Sequence, residues 1–250
     1  MQNKNKLYGA ILGDLCGQPF EFASYTGYNK PITIHNPDSN ITDDSLMTLA
    51  TAYAILNNVA YESAYKYLGN KYTNSNIGYG GNFAEWLRSP FGTKLNSWGN
   101  GCLMRCSPVF YAFNSNKVMR HANIAASCLN SHDSFESVEA CLNLDKLYFE
   151  FDKYDKPLVD KPIKFENFEV KSTPTFEFVE KVFAHTTSTN DAILKAVECG
   201  GDTDTNASIV GELSTFHYND LTEEDIKYVE SKLDPFLMNI LYSFNERFSD

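Results

Sequence analysis

The sequence predicts an all-α fold, and three observations carry that prediction. Segment after segment spaces its apolar residues three and four apart, the signature of a helix with one buried face. Only one stretch, Ile163-Lys164-Phe165-Glu166 followed by Phe168-Glu169-Val170, alternates in the manner of a strand. Helix-opening signals recur between the periodic segments, such as Thr222 before Glu223 and Asp225, or Pro235 at the start of an apolar run. The 250 residues fit one domain spanning 1–250, because no linker, repeat or low-complexity tract interrupts them. A hydrophobic content of 43% can fill a core, which excludes a disordered chain.

In chain order, Leu7, Ile11, Leu12 and Leu15 define a first helix from Leu7 to Cys16. Gly9, Gly13 and Gly17 lie four apart on it, so either another backbone or a ligand can come close. Pro19 is expected to end this helix and leave Glu21 on a loop. Residues Ser24 to Ile41, with Gly27, Pro31 and Pro37, read as loop. Helices are predicted from Asp43 to Asn57 and from Tyr61 to Tyr72. After a glycine-rich turn at Gly78 to Gly81 comes a short helix around Phe83 to Leu87, and that turn lacks the spacing of a dinucleotide fold. Cys102 to Phe113, Val118 to Leu129 and Ser134 to Phe149 follow as helices. The stretch Phe151 to Pro174 is expected to be an irregular excursion or short β-hairpin at the rim of a pocket. Helices resume at Phe176 to Ala184, Asn190 to Glu198, Thr203 to Phe216, Glu223 to Lys232 and Pro235 to Phe248.

The net charge of −11 argues against the phosphate-backbone attraction that nucleic-acid binders rely on, leaving nucleic acid only as a modified substrate. A small anionic ligand stays possible, because bound metal and helix N-termini supply local positive potential. Six cysteines are scattered without a C-x-x-C pair and read as reduced, partly buried small hydrophobes; Cys102 and Cys106 alone do not make a zinc site. No apolar run reaches membrane-spanning or signal-peptide length, so no membrane partner is expected and the expected location is cytoplasmic.

Chemistry concentrates at two helix openings. Gly200-Gly201-Asp202-Thr203-Asp204-Thr205-Asn206 leads into one apolar helix, and Thr42-Asp43-Asp44 opens another. Either head alone reads as an ordinary N-cap with first-turn acids. Together they carry more carboxylates than caps can use, and such a set stays together only around divalent cations of the oxygen-preferring kind.

These heads, with Gly9-Ala10-Ile11-Leu12-Gly13-Asp14, Gly17-Gln18-Pro19-Phe20-Glu21-Phe22, Gly78-Tyr79-Gly80-Gly81 and Trp98-Gly99-Asn100-Gly101 running into Met104-Arg105, resemble the ADP-ribosylglycohydrolase family. That family includes the dinitrogenase reductase-activating glycohydrolase, and the matching blocks run in its order from about Leu7 to Gly211. The resemblance implies a compact multi-helix domain and a binuclear metal site of Thr42, Asp43, Asp44, Asp202, Asp204 and Thr205. Two Mg²⁺ ions are implied there, with Mn²⁺ as an alternative. It implies catalysis by Glu21, Asp43 and Asp204, with Asp14 structural. Gly78, Tyr79, Gly80, Ser97, Trp98, Gly99, Asn100, Gly101, Met104 and His132 become the substrate-binding set. In that set the loop from Ser97 to Gly101 wraps the phosphates and distal ribose, and His132 lines the adenosine side. Arg105 reads equally as a partner for a phosphate or metal-shell acid, or as a structural ion pair. Trp98 reads as packing on the ligand or as core.

The implied activity is metal-dependent cleavage of the glycosidic bond between ADP-ribose and a modified protein side chain or small molecule, by a monomer. Two alternatives stand beside it. One is a non-catalytic sensor or sequestering protein that binds ADP-ribose or a nucleotide in the same pocket. The other is a structural all-α protein whose acidic heads hold Ca²⁺ or merely cap helices. The chain departs from the family at Lys171-Ser172-Thr173-Pro174-Thr175 and in a shortened stretch from Phe149 to Glu169, both on the expected acceptor side.

Overall fold

A computed structural model describes residues 5–22, 30–73, 77–132, 134–151 and 168–249. Among them the chain forms thirteen α-helices: α1 Tyr8–Gly17, α2 Asp43–Asn57, α3 Tyr61–Lys71, α4 Gly81–Arg88, α5 Gly101–Met104, α6 Ser107–Ala112, α7 Lys117–Cys128, α8 Phe135–Glu150, α9 Ser172–Ala184, α10 Thr189–Cys199, α11 Thr203–Tyr218, α12 Glu223–Ser231 and α13 Pro235–Arg247. The fold is all-α, and no described residue belongs to a sheet. No helix among the described residues is long and apolar enough to cross a membrane.

Helices α1 and α11 form the centre. All of α1 is buried, as is α11 from Thr203 to Thr215, so neither keeps a solvent face. Their backbones touch because α1 carries Gly9, Gly13 and Gly17 on the contact line. A Cβ on Gly9 would overlap Thr215 and Gly211, one on Gly13 the Ala207 carbonyl, and one on Gly17 the backbone of Thr203 and Asp204. The glycine spacing therefore serves helix packing at all three positions. Around this pair lie α10 and α9 on one side and α2 on another, with α3 and α13 beyond α2.

Buried carboxylates tie the inner helices end to end. The Leu7 N-cap gives α1 no side-chain cap. Glu212 of α11 does that work instead, accepting the N–H groups of Leu7 and Ala10 at 2.8 Å each. Asp14 of α1 in turn holds the start of α2. It accepts the Thr42 and Ser45 N–H groups at 2.9 and 3.2 Å and both of their hydroxyls. The order α11, α1, α2 is thus fixed by one acid per junction.

Most predicted helices lie within two residues of the observed ones, and four expectations change. The helix expected from Cys102 to Phe113 is two, α5 and α6, because Pro108 in the first turn of α6 cannot donate back to Met104. Pro19 does not stop the chain's turning at once; Gln18–Phe20 continue α1 as a 3₁₀ turn. Helix α9 starts at Ser172 instead of Phe176, with Pro174 inside the first turn, where its missing N–H costs no bond within the helix. Of the expected hairpin, residues 163–167 lie outside the described residues. Residues 168–170 form no strand, and beside them a single isolated bridge joins Lys171 to Gly99.

Candidate active site

The two acidic heads meet. Thr205 donates its hydroxyl to Asp44 Oδ2 at 3.1 Å, across 161 residues of sequence. The turn between α10 and α11 makes this possible at Gly200 and Gly201, both left-handed at φ 81° and 80°, where a side chain would strain the backbone. Asp202 then occupies the N-cap of α11 without capping it. Its carboxylate instead accepts the Asn100 side-chain amide at 2.7 Å. At the other head Thr42 does cap α2, accepting the Asp44 N–H at 3.3 Å. One head is therefore a cap and the other is not.

Carboxylate oxygens gather in two overlapping groups: those of Asp14, Asp44 and Asp204 lie within 4.8 Å of one another, as do those of Glu21, Asp202 and Asp204. Asp204 belongs to both. Asp14 is occupied by four donors at the start of α2, which makes it structural despite its position. Asp43 faces the same space but belongs to neither group, and its N–H is fixed by the Ile77 carbonyl at 2.9 Å.

Burial pushes every one of these acids toward its neutral form. Asp43, Asp44 and Asp204 are raised well above the usual carboxylate range, first by burial and then by their acidic neighbours. Asp202 is raised by burial against the pull of Asp204 and Asn100. Glu21 is pushed up to about 7 by burial, then by Asp202 and Asp14. Asp44 Oδ1 is buried with no hydrogen-bond partner. An orphaned carboxylate oxygen among mutually repelling acids is the donor set that a hard divalent cation completes. The residues present fit such an ion.

These acids floor a cavity of about 610 Å³. Gly78, Tyr79, Gly80 and the start of α4 form one wall; Ser97, Gly99, Asn100, Gly101, Met104, Arg105 and His132 form another. The rim includes Phe22 and Phe168, whose ring centroids are 5.5 Å apart. Of the residues expected to catalyse or to hold metal or substrate, two lie off the lining. Thr42 sits behind Asp44, and Trp98 is 64% exposed on the surface, neither in the core nor in the cavity. Sequence reasoning missed Asn82, Phe83 and Leu95 as lining residues, while Phe168 and Val170 belong to the stretch expected at the rim. The only signal for the three was adjacency to the glycine-rich turn, for Asn82 and Phe83, and to the Ser97 loop, for Leu95.

The loop from Ser97 to Gly101 is more self-contained than the expected anion cradle. Ser97 N–H donates to the Ser131 carbonyl at 3.0 Å, Gly99 N–H to Ser97 Oγ at 3.1 Å, and Asn100 N–H to the Val170 carbonyl at 2.7 Å. Helix α5 behind it has only four residues and no side-chain cap. Asn100 thus orients Asp202 from the cavity wall. His132 is buried, with Nδ1 at 2.8 Å from Ser131 Oγ. Burial and then Arg105 hold it well below the usual histidine range, so it is neutral at pH 7.

Arg105 meets neither of its sequence readings in full. It is 1% exposed, donates to the Ser127 carbonyl and Ser131 Oγ at 3.1 and 2.6 Å, and lies 4.3 Å from the Tyr65 ring centroid. It forms no ion pair among the described residues. Close by, hydrogen bonds from Cys102 and Cys141, with Arg105 behind them, pull the Cys128 thiol down to about 4.

Comparison with known proteins bears on the family and the fold. The profile of the ADP-ribosylglycohydrolase family matches residues 4–144. A solved structure described as an ADP-ribosylglycohydrolase-related protein complex superposes with a TM-score of 0.73 at 16% identity, covering 100% of this chain and 99% of that one. At that identity the likeness establishes the fold. No curated protein sequence matches.

Proposed function

Because the chain belongs to the ADP-ribosylglycohydrolase family, we propose that it hydrolyses the glycosidic bond between ADP-ribose and a modified protein side chain or small molecule. One observation carries this reading: two acidic helix starts, far apart in sequence, converge on the floor of a cavity large enough for a nucleotide-sized ligand. Asp43, Asp44, Asp202 and Asp204, with the Thr42 and Thr205 hydroxyls at hand, are the residues that would hold two divalent ions, Mg²⁺ or Mn²⁺. Bound ions would supply Lewis-acid polarisation and a more acidic water.

The chain's own groups do the rest. The ribose diol lies over the acidic floor, which fixes the anomeric carbon near Glu21. Glu21, half-buried and pushed up to about 7, takes the proton of the attacking water. The water oxygen bonds to the anomeric carbon, the bond to the acceptor atom breaks through an oxocarbenium-like state, and the acceptor leaves with the proton that Glu21 takes from the water. The diphosphate lies against Gly78, Gly80 and Asn82, where α4 begins without a side-chain cap and with no acid in its first turn. Neutral His132 borders the adenosine end. Phe22 and Phe168 close the rim on the acceptor side.

Hydrolysis of a panel of ADP-ribosylated arginine, serine and nucleobase substrates and O-acetyl-ADP-ribose tests the reading. Asp44→Asn and Asp202→Asn should each lower turnover about a hundredfold, or about 2.7 kcal/mol. Unchanged turnover of every substrate cleaved by the unmodified chain would overturn it. A substrate that binds and is never cleaved would instead support a binding protein.

A further inference from the structure

We propose that Cys102, Cys128 and Cys141 form a second metal site, for a soft closed-shell cation such as Zn²⁺ or Cu⁺, behind the cavity wall and separate from the acidic floor. The three come from different helices, α5, the end of α7 and the middle of α8, yet their sulfurs lie within 4.8 Å of one another. Thiolates bound to one ion at about 2.3 Å stand about 4 Å apart, so little movement closes the site. The group contains sulfur alone, and such a set selects soft ions over the hard ions suited to the carboxylates. Cys106 is one turn from Cys102 and also buried, but it lies outside the three-sulfur group and its Sγ is held 3.0 Å from the Cys102 carbonyl, so it would have to turn to serve as a fourth ligand.

A second observation is independent of the sulfurs. Arg105 is a buried guanidinium with no ion pair among the described residues, and its Nε has no hydrogen-bond partner among them. Guanidinium does not shed its proton, and an uncompensated buried charge is costly. Three thiolates around Zn²⁺ or Cu⁺ carry net negative charge, and Arg105, which already draws Cys128 toward its thiolate, would balance it. Binding releases the thiol protons to solvent. It also ends the contacts of Cys102 Sγ with the Gly99 carbonyl at 3.5 Å and of Cys128 Sγ with the His132 carbonyl at 3.7 Å. Both carbonyls belong to wall residues, so occupancy would reach the cavity.

The test titrates the whole chain with Cd²⁺ under excess Mg²⁺, reading the ultraviolet sulfur-to-cadmium charge-transfer band, which carboxylates do not give. Native mass spectrometry counts the ions. The expected result is a band saturating at one ion per chain. It should persist in Asp202→Asn and weaken at least tenfold in Cys141→Ser and Cys128→Ala, with circular dichroism verifying the fold of each. Competition with chelators then ranks Zn²⁺ and Cu⁺. Dependence on Cys106 supports a four-sulfur Zn²⁺ site, and indifference to it a three-sulfur Cu⁺ site. No band from the unmodified chain with Cd²⁺ and no retention of Cu⁺ would overturn the proposal. So would a full band in both folded cysteine variants.

Discussion

At Gly80 the backbone is at φ −55°, which alanine adopts freely, and an added Cβ would meet nothing within 4 Å. Nothing in the fold therefore asks for glycine there, although the residue lines the cavity. Gly80→Ala should leave the melting temperature unchanged and weaken ADP-ribose binding about tenfold, or about 1.4 kcal/mol, by holding the diphosphate off the turn. Equal affinity would remove Gly78 to Asn82 from the phosphate side. At this scale the acidic residues were legible in the sequence, because two glycines before alternating acids and hydroxyls is more than a cap requires. What their side chains do was not legible. That Asp202 leaves the α11 cap unmade and takes the amide of Asn100, 102 residues away, depends on tertiary approach alone. The loop's N–H groups were expected to face an anion, and the Ser131 and Val170 carbonyls take those of Ser97 and Asn100.

Between elements, the close approach of α1 and α11 gives a sharp contrast with Gly80. A Cβ on Gly13 would fall on the Ala207 carbonyl, with backbone on both sides and no flexible side chain to yield. Gly13→Ala should cost about 3 kcal/mol, read as a drop in the denaturation midpoint, and an unchanged midpoint would refute the packing assigned to α1. The junction made by Glu212 has a pH signature. Burial raises this carboxyl above its ordinary 4.5, so the folded chain holds the proton more tightly than the unfolded one. Its contribution is complete below about pH 4.5 and is lost as pH rises through the folded value. Glu212→Gln should remove that part of the slope. It should also cost about 2 kcal/mol, because an amide N–H₂ must then face the N–H of Leu7 or Ala10. A parallel pH dependence in both proteins would contradict the assignment. Helix positions were readable from apolar spacing, which reports burial directly. Pro108 and Pro174 were misjudged because a proline's effect depends on whether a turn begins there, which spacing does not reveal.

Over the whole molecule, the acidic floor depends on a relay. Glu212 of α11 anchors the start of α1, Asp14 of α1 anchors the start of α2, and so Asp44 arrives beside Thr205. The all-α class was legible from the one weak β-like patch among many helical periods. The shared wall behind the cavity, where three scattered cysteines converge beside Arg105, was not, since no spacing links Cys102, Cys128 and Cys141. On the proposed function, the acidic floor holds divalent ions that in turn hold the ribose. Calorimetric titration of the unmodified chain with ADP-ribose, once in Mg²⁺ and once in EDTA, addresses this most directly. Binding in Mg²⁺ should weaken at least tenfold in EDTA. Equal affinity in both buffers, or no binding in either, would contradict that reading.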